Sequence, residues 1–240
     1  MIWNLILRTL GTAAIAYLIG SLNPAILITR AFTHEDIRTM GSGNAGFTNV
    51  LRSVGALPAT LTILSDFLKG ITAVLIGWWI FSAMTVTNDV APIEYEKYGR
   101  YLAGMCVIIG HVFPLYFGFR GGKGVVTAAA TMAIVDWRVF LLIISTFLII
   151  FIITRIISLG SIICAAIYPV YTCLMIYFAD YLPGIGTPDE LRFRFVMIST
   201  AFAAVIGAMV ILMHKENIKR LIRGEEKKIR VKKRTTGETV

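Results

Sequence analysis

Seven apolar blocks separated by short polar stretches dominate the chain. They run over about Thr9–Ile28, Leu57–Phe81, Tyr101–Phe117, Gly124–Val135, Val139–Ile157, Leu159–Phe178 and Phe195–Met213. Most are long enough for a helix that crosses a hydrocarbon core of about 30 Å, whereas the fourth block would span about 18 Å as a helix. The pattern predicts an all-α, polytopic integral membrane protein with about seven transmembrane helices, one of them short.

The first block carries two local signals. A single charged residue, Arg8, precedes the block, and no small-residue cleavage site is evident. The block is therefore typical of a membrane helix rather than of a signal peptide. Asn23 and Pro24 stand near its end, where proline is expected to bend or fray the helix.

Composition excludes several other classes of protein. The 240 residues are 57% hydrophobic and 15% charged, with a mean hydropathy of +0.76. A soluble globular chain carries about 25% charged residues, so a soluble domain, a disordered chain and a disulfide-rich scaffold are excluded. Cys106, Cys164 and Cys173 lie inside apolar blocks without metal-ligand spacing, and we interpret them as small buried hydrophobes.

The distribution of charge predicts the orientation in the membrane. The formal net charge is +9, and ten of the 23 lysines and arginines follow His214. Such a cluster favours the cytoplasmic side and anionic lipid headgroups rather than nucleic acid. With seven crossings the C-terminus is then cytoplasmic and the N-terminus outside, and we expect one transmembrane domain over residues 1–224 followed by a basic cytoplasmic tail over residues 225–240. The predicted outside segments carry the acids Asp89, Glu94, Glu96, Asp136, Asp180, Asp189 and Glu190.

The stretch from Gly41 to Arg52 is rich in hydrogen-bond donors. Its glycines expose backbone N–H groups, and Arg52 adds a planar fork suited to phosphate, so we predict an anion cradle. Its predicted ligand-binding residues are Ser42, Gly43, Asn44, Thr48, Asn49 and Arg52. The glycine spacing also satisfies the dinucleotide fingerprint, but no strand precedes it, which excludes that interpretation.

A second glycine-rich stretch, Phe119–Gly124, places Lys123 at the start of the fourth block. A helix N-terminus favours anions, so Lys123, Gly121 and Gly122 are predicted to bind phosphate. The stretch is not a Walker A motif, because a glycine follows the lysine where Ser or Thr is required. His111, about two turns earlier, is as consistent with a structural histidine as with a functional one.

The end of the last block carries His214 and Asn217 on one helix face. A neutral imidazole beside an amide can accept a proton and orient a hydroxyl, although such residues also occur as simple helix caps. Arg220 and Glu226, further along, are interpreted as structural ionic ties.

Two more pairs of polar residues stand in or near apolar blocks. Asp66 and Lys69 are expected to pair inside the membrane, either as a structural pair or as a wall of the active site. Ser158 and Ser161 follow a tight turn and are predicted to add a hydroxyl to the same face as Lys123, with a purely structural role equally open.

Arg52, Lys123 and His214 come from distant parts of the chain, and the predicted topology places all three at the cytoplasmic face. Two anion-binding stretches at one face indicate two phosphorylated ligands, one of them with a lipid tail. No metal-ligand cluster and no nucleophile with a catalytic partner is evident in the sequence, so no metal or other cofactor is predicted. The residues alone thus give a class of substrate but no reaction.

At these stretches the sequence resembles the bacterial membrane acyl-phosphate:glycerol-3-phosphate acyltransferases. The resemblance rests on Gly41–Arg52, Asp66–Gly70, Gly110–Val125, Ile157–Ser161 and His214–Ile229, although Glu225 stands where the family commonly has Thr. It implies seven helices in the bacterial cytoplasmic membrane, with the N-terminus outside and the active site on the cytoplasmic side. It further implies acyl transfer from acyl phosphate to the 1-hydroxyl of sn-glycerol 3-phosphate, which yields lysophosphatidic acid and inorganic phosphate in phospholipid synthesis.

The resemblance also implies roles for individual residues. Phosphate handling falls on Ser42, Gly43, Asn44, Thr48, Asn49, Arg52, Gly121, Gly122 and Lys123. Glycerol-phosphate binding and hydroxyl orientation fall on Arg52, Lys123, Ser158 or Ser161, His214 and Asn217, and a structural role on Glu226. Either His214 or a substrate phosphate then accepts the hydroxyl proton, and the partners are the two substrates and membrane lipids.

An organophosphate transporter or channel is the alternative. The intramembrane Asp66–Lys69 pair and the glycine-broken helices favour it, whereas the clustering of donors at one interface and the lack of an internal repeat favour the acyltransferase. A third interpretation, a lipid-binding scaffold, leaves the donor-rich loops unexplained.

Overall fold

The computed structural model describes residues 2–83, 92–187 and 190–229, and within these ranges the chain forms helices and no strand. The helices are α1 (Ile2–Ser21), α2 (Pro24–Thr33), α3 (Phe47–Ser53), α4 (Ala56–Ser82), α5 (Pro92–Val112), α6 (Val125–Val135), α7 (Trp137–Thr154), α8 (Ile157–Met175), α9 (Leu182–Gly184), α10 (Phe193–Met213) and α11 (Lys215–Ile222). Short 3-10 turns cover Ile37–Thr39 and Leu115–Phe117, and a π-helical segment, Ile176–Tyr181, joins α8 to α9.

Most of these helices are suited to a bilayer. Six segments of the described chain are long and apolar enough to cross a membrane, and the 11-residue α6 is a shorter apolar helix that rises about 16 Å. Large apolar side chains face outward, as Trp79 (71% exposed) and Ile153 (76% exposed) illustrate. Such exposure fits contact with lipid rather than water. The predicted all-α polytopic fold is confirmed, while the orientation of its termini stays a prediction.

Successive long helices alternate in direction, which sorts the connections into two ends of the bundle. The end that we call the glycine-loop end contains residues 34–55, 113–124, 155–156 and 214–229. There the Tyr17 hydroxyl donates to the Phe113 carbonyl over 2.9 Å. At the opposite end, the Arg138 guanidinium donates to the Asp180 carboxylate over 2.8 Å. Of the residues predicted at these two ends, Asp89, Asp189 and residues 230–240 lie outside the described chain.

The first apolar block, in which we predicted a bent or frayed helix near Asn23 and Pro24, forms two helices. α1 begins at Ile2 instead of about Thr9, and it ends before Asn23. The Asn23 Oδ1 then accepts the Ile26 N–H at 3.2 Å and caps α2. Pro24 follows in the first turn, where no N–H donor is needed. The regular helix is therefore interrupted at the predicted position, and a second, capped helix begins there.

The start of the predicted C-terminal tail, residues 225–229, packs back onto the helices. The Ile229 N–H donates to the Arg155 carbonyl over 2.9 Å, and the Glu226 carboxylate accepts the Ser158 hydroxyl over 2.7 Å. The boundary that we predicted after residue 224 thus falls inside a segment that contacts the junction of α7 and α8.

α4 and α5 approach each other closely at two glycines. A Cβ atom on Gly77 would lie 2.5 Å from the Gly99 carbonyl oxygen and 2.6 Å from the Ala103 Cβ. Helices in lipid gain little from the hydrophobic effect, so small residues that allow close van der Waals contact hold them together. Gly77 and Gly99 therefore set the spacing of the two helices that carry Asp66, Lys69 and His111.

A pair of glycine substitutions tests this packing. Gly77→Ala should lower the free energy of unfolding by about 1–3 kcal/mol, because the added methyl group meets backbone atoms that cannot move aside. Gly11→Ala is the matched control: a Cβ there has nothing within 4 Å, and alanine is the better helix former by about 1 kcal/mol. Thermal unfolding of both variants in the same detergent measures the difference, and equal stability would contradict the packing role of Gly77.

Candidate active site

Asn49, in the first turn of α3, holds together the first glycine loop, by which we mean residues 40–46 just before α3. It is 3% exposed, and its amide nitrogen donates to the carbonyl oxygens of Ile37 (3.1 Å) and Met40 (3.0 Å). Its Oδ1 accepts the Ser42 N–H at 2.9 Å. Both N–H bonds of the amide are thus donated within the protein. This geometry gives Asn49, which we predicted to bind phosphate, the role of fixing the shape of the loop.

The other polar residues around this loop remain available to a ligand. Ser42 and Gly43 are exposed, and Asn44 and Thr48 are partly buried. None of the three polar side chains has a hydrogen-bond partner among the described residues. Arg52, also exposed, makes no ion pair within the described part of the chain. The first loop and α3 together therefore offer one guanidinium without an ion-pair partner among the described residues and several uncommitted polar groups.

The second glycine loop, residues 118–124, packs against the end of α5. The Gly121 N–H donates to the Val112 carbonyl (3.1 Å), and the Gly122 N–H donates to the His111 carbonyl (3.2 Å). These N–H groups, which we predicted to bind an anion, are therefore committed to the backbone of α5. Close packing demands the glycines, because a Cβ on Gly121 would lie 2.0 Å from the His111 carbonyl oxygen. Lys123 is the side chain that this rigid loop contributes to the site.

Lys123 holds its charge in a partly buried position. Its Nζ donates to the Asn217 Oδ1, which belongs to a neutral amide in α11. Burial lowers the pKa of Lys123 to about 8; the charge of Glu226 opposes this shift, whereas the charges of Arg220 and Arg52 add to it. Because its direct partner is an amide rather than a carboxylate, the ammonium is available to an anion.

Glu226 connects α8, α11 and the C-terminal segment. Its Oε1 accepts hydrogen bonds from the Ser158 hydroxyl and the Asn217 amide, each 2.7 Å long, and its Oε2 accepts one from the Arg220 Nε over 2.7 Å. Burial raises the pKa of Glu226, but these three hydrogen bonds outweigh it and bring the pKa below its usual value. The geometry supports the structural role that we predicted for Arg220 and Glu226.

His214 lies at the junction of α10 and α11 and is 3% exposed. Its Nδ1 is 2.7 Å from the Val210 carbonyl oxygen, which can only accept a hydrogen bond. Nδ1 therefore carries the hydrogen, and Nε2 is left as an acceptor. Burial lowers the pKa of His214 to about 4, although the bond to Val210 opposes this shift. The imidazole is thus neutral at pH 7 and can accept a hydrogen bond from a hydroxyl.

The three groups that we predicted to meet do lie in one region. The charge of Arg52 acts on the pKa of Lys123, and the charge of Lys123 acts on the pKa of His214. Ser161 is less closely involved, because its hydroxyl donates to the Ile157 carbonyl over 3.0 Å within α8.

Asp66 and Lys69 pair inside the bundle, where His111 joins them. The Lys69 Nζ lies 2.8 Å from the Asp66 Oδ1 and 2.9 Å from the His111 Nδ1. The His111 Nδ1 is 3.2 Å from the Asp66 Oδ1. All three residues are between 2% and 7% exposed, so they form a buried cluster behind the second glycine loop rather than part of its surface.

Arg38 is a further residue of this region, and our sequence analysis gave it no role in the site. Its NH1 donates to the carbonyl oxygens of Phe117 (2.7 Å) and Arg120 (3.2 Å), so it bridges the segment before the first loop to the second loop. Asp36 orients it, and the hydrogen bond from Arg38 holds the pKa of the Asp36 carboxyl well below its usual value. The Asp36–Arg38 spacing was the available signal, but it does not reveal the partners at Phe117 and Arg120.

These observations define a class of protein. It is a polytopic helical membrane protein whose bundle carries, at one end, an arginine, a desolvated lysine and a neutral histidine, a combination suited to anionic substrates with a hydroxyl. Similarity to known sequences identifies the family. The sequence profile of the family described as glycerol-3-phosphate acyltransferase matches residues 10–224.

Curated relatives match along nearly their whole length. The glycerol-3-phosphate acyltransferase of Clostridioides difficile (strain 630) is 36% identical over 221 residues, covering 92% of this chain and 95% of the relative. That of Shewanella loihica (strain ATCC BAA-1088 / PV-4) is 37% identical over 234 residues, covering 98% and 99%.

Solved structures are similar as well. The crystal structure of PlsY (YgiH), an integral membrane glycerol 3-phosphate acyltransferase, matches in its glycerol 3-phosphate form with a TM-score of 0.70, 31% identity and coverage of 92% of this chain and 95% of that chain. Its lysophosphatidic acid form matches with a TM-score of 0.68, 30% identity and coverage of 92% and 94%. The present chain belongs to the glycerol-3-phosphate acyltransferase family, and it is an acyltransferase.

The lowered pKa of Lys123 predicts how anion binding depends on pH. Lys123 carries its charge below pH 8 and loses it as the pH rises through 8. Sulfate keeps its charge over this range, so its affinity should fall roughly tenfold between pH 7 and pH 9 as the ammonium is lost. Protection of the protein by sulfate against thermal unfolding measures this. Lys123→Arg should flatten the profile, since arginine stays charged; a steep profile in that variant would assign the titration to another group.

Proposed function

We propose that the protein transfers an acyl group from acyl phosphate to the 1-hydroxyl of sn-glycerol 3-phosphate and releases lysophosphatidic acid and inorganic phosphate, a step of phospholipid synthesis. The observation that carries this proposal is the gathering of Arg52, Lys123 and His214 at one end of the bundle. The related PlsY structures, in a glycerol 3-phosphate form and a lysophosphatidic acid form, support the acceptor and the product.

Lys123 and Arg52 bind the phosphate groups of the two substrates, assisted by Ser42, Asn44 and Thr48. A phosphate that reaches Lys123 gains a charge-assisted hydrogen bond from an ammonium that has no carboxylate in direct contact. Arg52, exposed and uncommitted, can present two parallel N–H bonds. The acyl chain of the donor lies against the apolar side chains of the helices.

The reaction needs orientation and electrostatic stabilisation more than a strong acid. Acyl phosphate is a mixed anhydride with phosphate as a good leaving group. The glycerol oxygen attacks the acyl carbon, a new ester C–O bond forms, and the bond between the acyl carbon and the phosphate oxygen breaks, with its electron pair on phosphate. Holding both substrates in line and neutralising their phosphates are the two contributions that Lys123 and Arg52 make.

The hydroxyl proton passes to a substrate phosphate rather than remaining on His214. A phosphate monoester has a second pKa of about 6, whereas the pKa of His214 is about 4, so phosphate is the stronger base. His214 then orients the hydroxyl: its Nε2 accepts the O–H hydrogen bond while its Nδ1 stays bonded to the Val210 carbonyl. Asn217 positions the Lys123 ammonium, whose hydrogen bond its side-chain oxygen accepts.

The protein is a multi-pass membrane protein, and we place it in the bacterial cytoplasmic membrane with the glycine-loop end facing the cytoplasm. Arg52, Arg120, Lys123 and Arg155 lie at this end, which supports that orientation under the positive-inside rule. An active site there has direct access to a soluble phosphorylated acceptor.

Transport of an organophosphate is the alternative function. The Asp66–Lys69 pair favoured this function in the sequence, but in the structure Lys69 also contacts His111 and the end of α1. The pair is thus engaged within the protein and does not offer a free charge to a transported ligand. Reconstituted vesicles distinguish the two functions, because flux of glycerol 3-phosphate without formation of product would favour the transporter.

The charged residues provide the first test of the reaction. Purified protein with acyl phosphate and glycerol 3-phosphate should release phosphate and form lysophosphatidic acid. Lys123→Ala and Arg52→Ala should each lower kcat/KM at least ~100-fold, since each removes a charge-assisted contact with phosphate. Cys164→Ala is the control: Cys164 is 7% exposed in α8 and donates only to the Ile143 carbonyl over 3.4 Å, so activity should be unchanged. Inactive wild-type protein in an otherwise working assay would refute the function.

The role of His214 is tested by two substitutions. His214→Gln retains an oxygen that accepts a hydrogen bond and should lower kcat only about tenfold, with little change in KM. His214→Ala removes the acceptor and should lower kcat about 100-fold or more. If the two variants prove equally inactive in steady-state kinetics, the imidazole is itself the essential proton acceptor.

A further inference from the structure

We propose that the buried cluster of Asp66, Lys69 and His111 is a positioning device that sets the distance between the two glycine loops and so places Lys123 for phosphate binding. All three residues are almost completely buried, so they are positioning residues rather than catalytic ones. The proposal rests on the function proposed above, and it extends that function to residues one layer deeper in the bundle.

His111, at the end of α5, is in direct contact with Gly122 of the second glycine loop. The His111 carbonyl accepts the Gly122 N–H over 3.2 Å. A Cβ on Gly122 would lie 2.2 Å from the His111 Nε2 and 2.5 Å from the Ala45 carbonyl oxygen. Gly122 is therefore wedged between the imidazole ring of α5 and the backbone of the first glycine loop. The position of that ring fixes how closely the two loops approach.

Charged groups on α4 hold the imidazole ring of His111 in place. His111 Nδ1 lies 2.9 Å from the Lys69 Nζ and 3.2 Å from the Asp66 Oδ1, both on α4. The Lys69 Nζ also donates to the carbonyl oxygens of Leu22 (2.8 Å) and Gly20 (3.3 Å), where α1 ends. The ring is thus tied to two other helices by groups that are almost completely buried.

The ionic character of the cluster indicates a role beyond stability. Replacing a buried ion pair with apolar side chains of similar volume is often neutral or stabilising, so stability alone does not require this cluster. The hydrogen bond between the Lys69 ammonium and the His111 Nδ1 is directional, however, and it fixes the orientation of the imidazole in a way that apolar packing does not. Lys123 follows Gly122 directly, so any shift of Gly122 moves the ammonium.

The test uses a double variant that removes both charges and keeps the volume, Asp66→Leu/Lys69→Met. In the full-length protein its thermal stability should stay close to that of the wild type. Its affinity for inorganic phosphate at pH 7, measured by protection against thermal unfolding, should fall about tenfold. The KM values of both phosphorylated substrates should rise by a similar factor, with kcat changed less than threefold. Unchanged phosphate affinity and KM in the folded variant would overturn the proposal.

A second variant and a control complete the experiment. His111→Phe keeps a ring of similar size but loses the contacts with Lys69 and Asp66, and it should weaken phosphate binding by a similar factor; wild-type affinity there would also overturn the proposal. Asp180→Asn, which disrupts the Arg138 ion pair at the opposite end, should lower stability without changing phosphate affinity. Because phosphate binding is measured without acyl transfer, the positioning role and the proposed reaction can fail independently.

Discussion

The site depends on a lysine that is kept charged and partly buried beside an amide. Lys123 donates to Asn217, and Asn217 in turn donates to Glu226, so the nearest carboxylate lies one residue removed from the ammonium. A direct Lys123–Glu226 pair would neutralise the charge and raise the pKa of the lysine. The interposed amide instead leaves the ammonium without a carboxylate in direct contact, and burial lowers its pKa to about 8. A bound phosphate would supply the missing negative charge, which is the basis of the substrate affinity that we propose for this position.

Rigidity of the surrounding backbone is what makes such a charge useful. The Gly121 and Gly122 N–H groups are donated to α5, and the Asn49 amide is donated to the first loop. These bonds take donors away from the ligand, yet they hold Lys123 and the first loop in fixed positions before any substrate arrives. A preorganised charge stabilises a developing anion without reorganisation at the moment of reaction. A small number of donors in fixed positions can therefore stabilise the charge that develops during acyl transfer.

The sequence predicts the helices well and the use of individual donors poorly. Long apolar blocks require helices because lipid cannot satisfy backbone hydrogen bonds, and alternation of direction then brings Arg52, Lys123 and His214 to one end. Residue type does not specify a hydrogen-bond partner, however. Asn49 looks like a ligand-binding residue until its bonds to Ile37 and Met40 are known. The return of Ile229 to Arg155 was also missed, because a charged segment after a glycine carries no signal for docking.

The two ends of the bundle show how the same residue types serve different purposes. At the opposite end, Arg138 pairs with both Asp136 and Asp180 at 2.8 Å, so its charge is fully compensated and it joins the start of α7 to the π-helical segment that follows α8. At the glycine-loop end, the carboxylate of Glu226 is directed to Arg220, while Lys123 and Arg52 are left without a carboxylate partner among the described residues. Compensation of charge stabilises the fold, and its local absence at Lys123 and Arg52 is the reason that we propose these two residues as the phosphate-binding groups. Glu226 pairs directly with Arg220 and reaches Lys123 only through Asn217. Its position therefore separates a cation that is paired within the protein from the cation that we propose binds substrate.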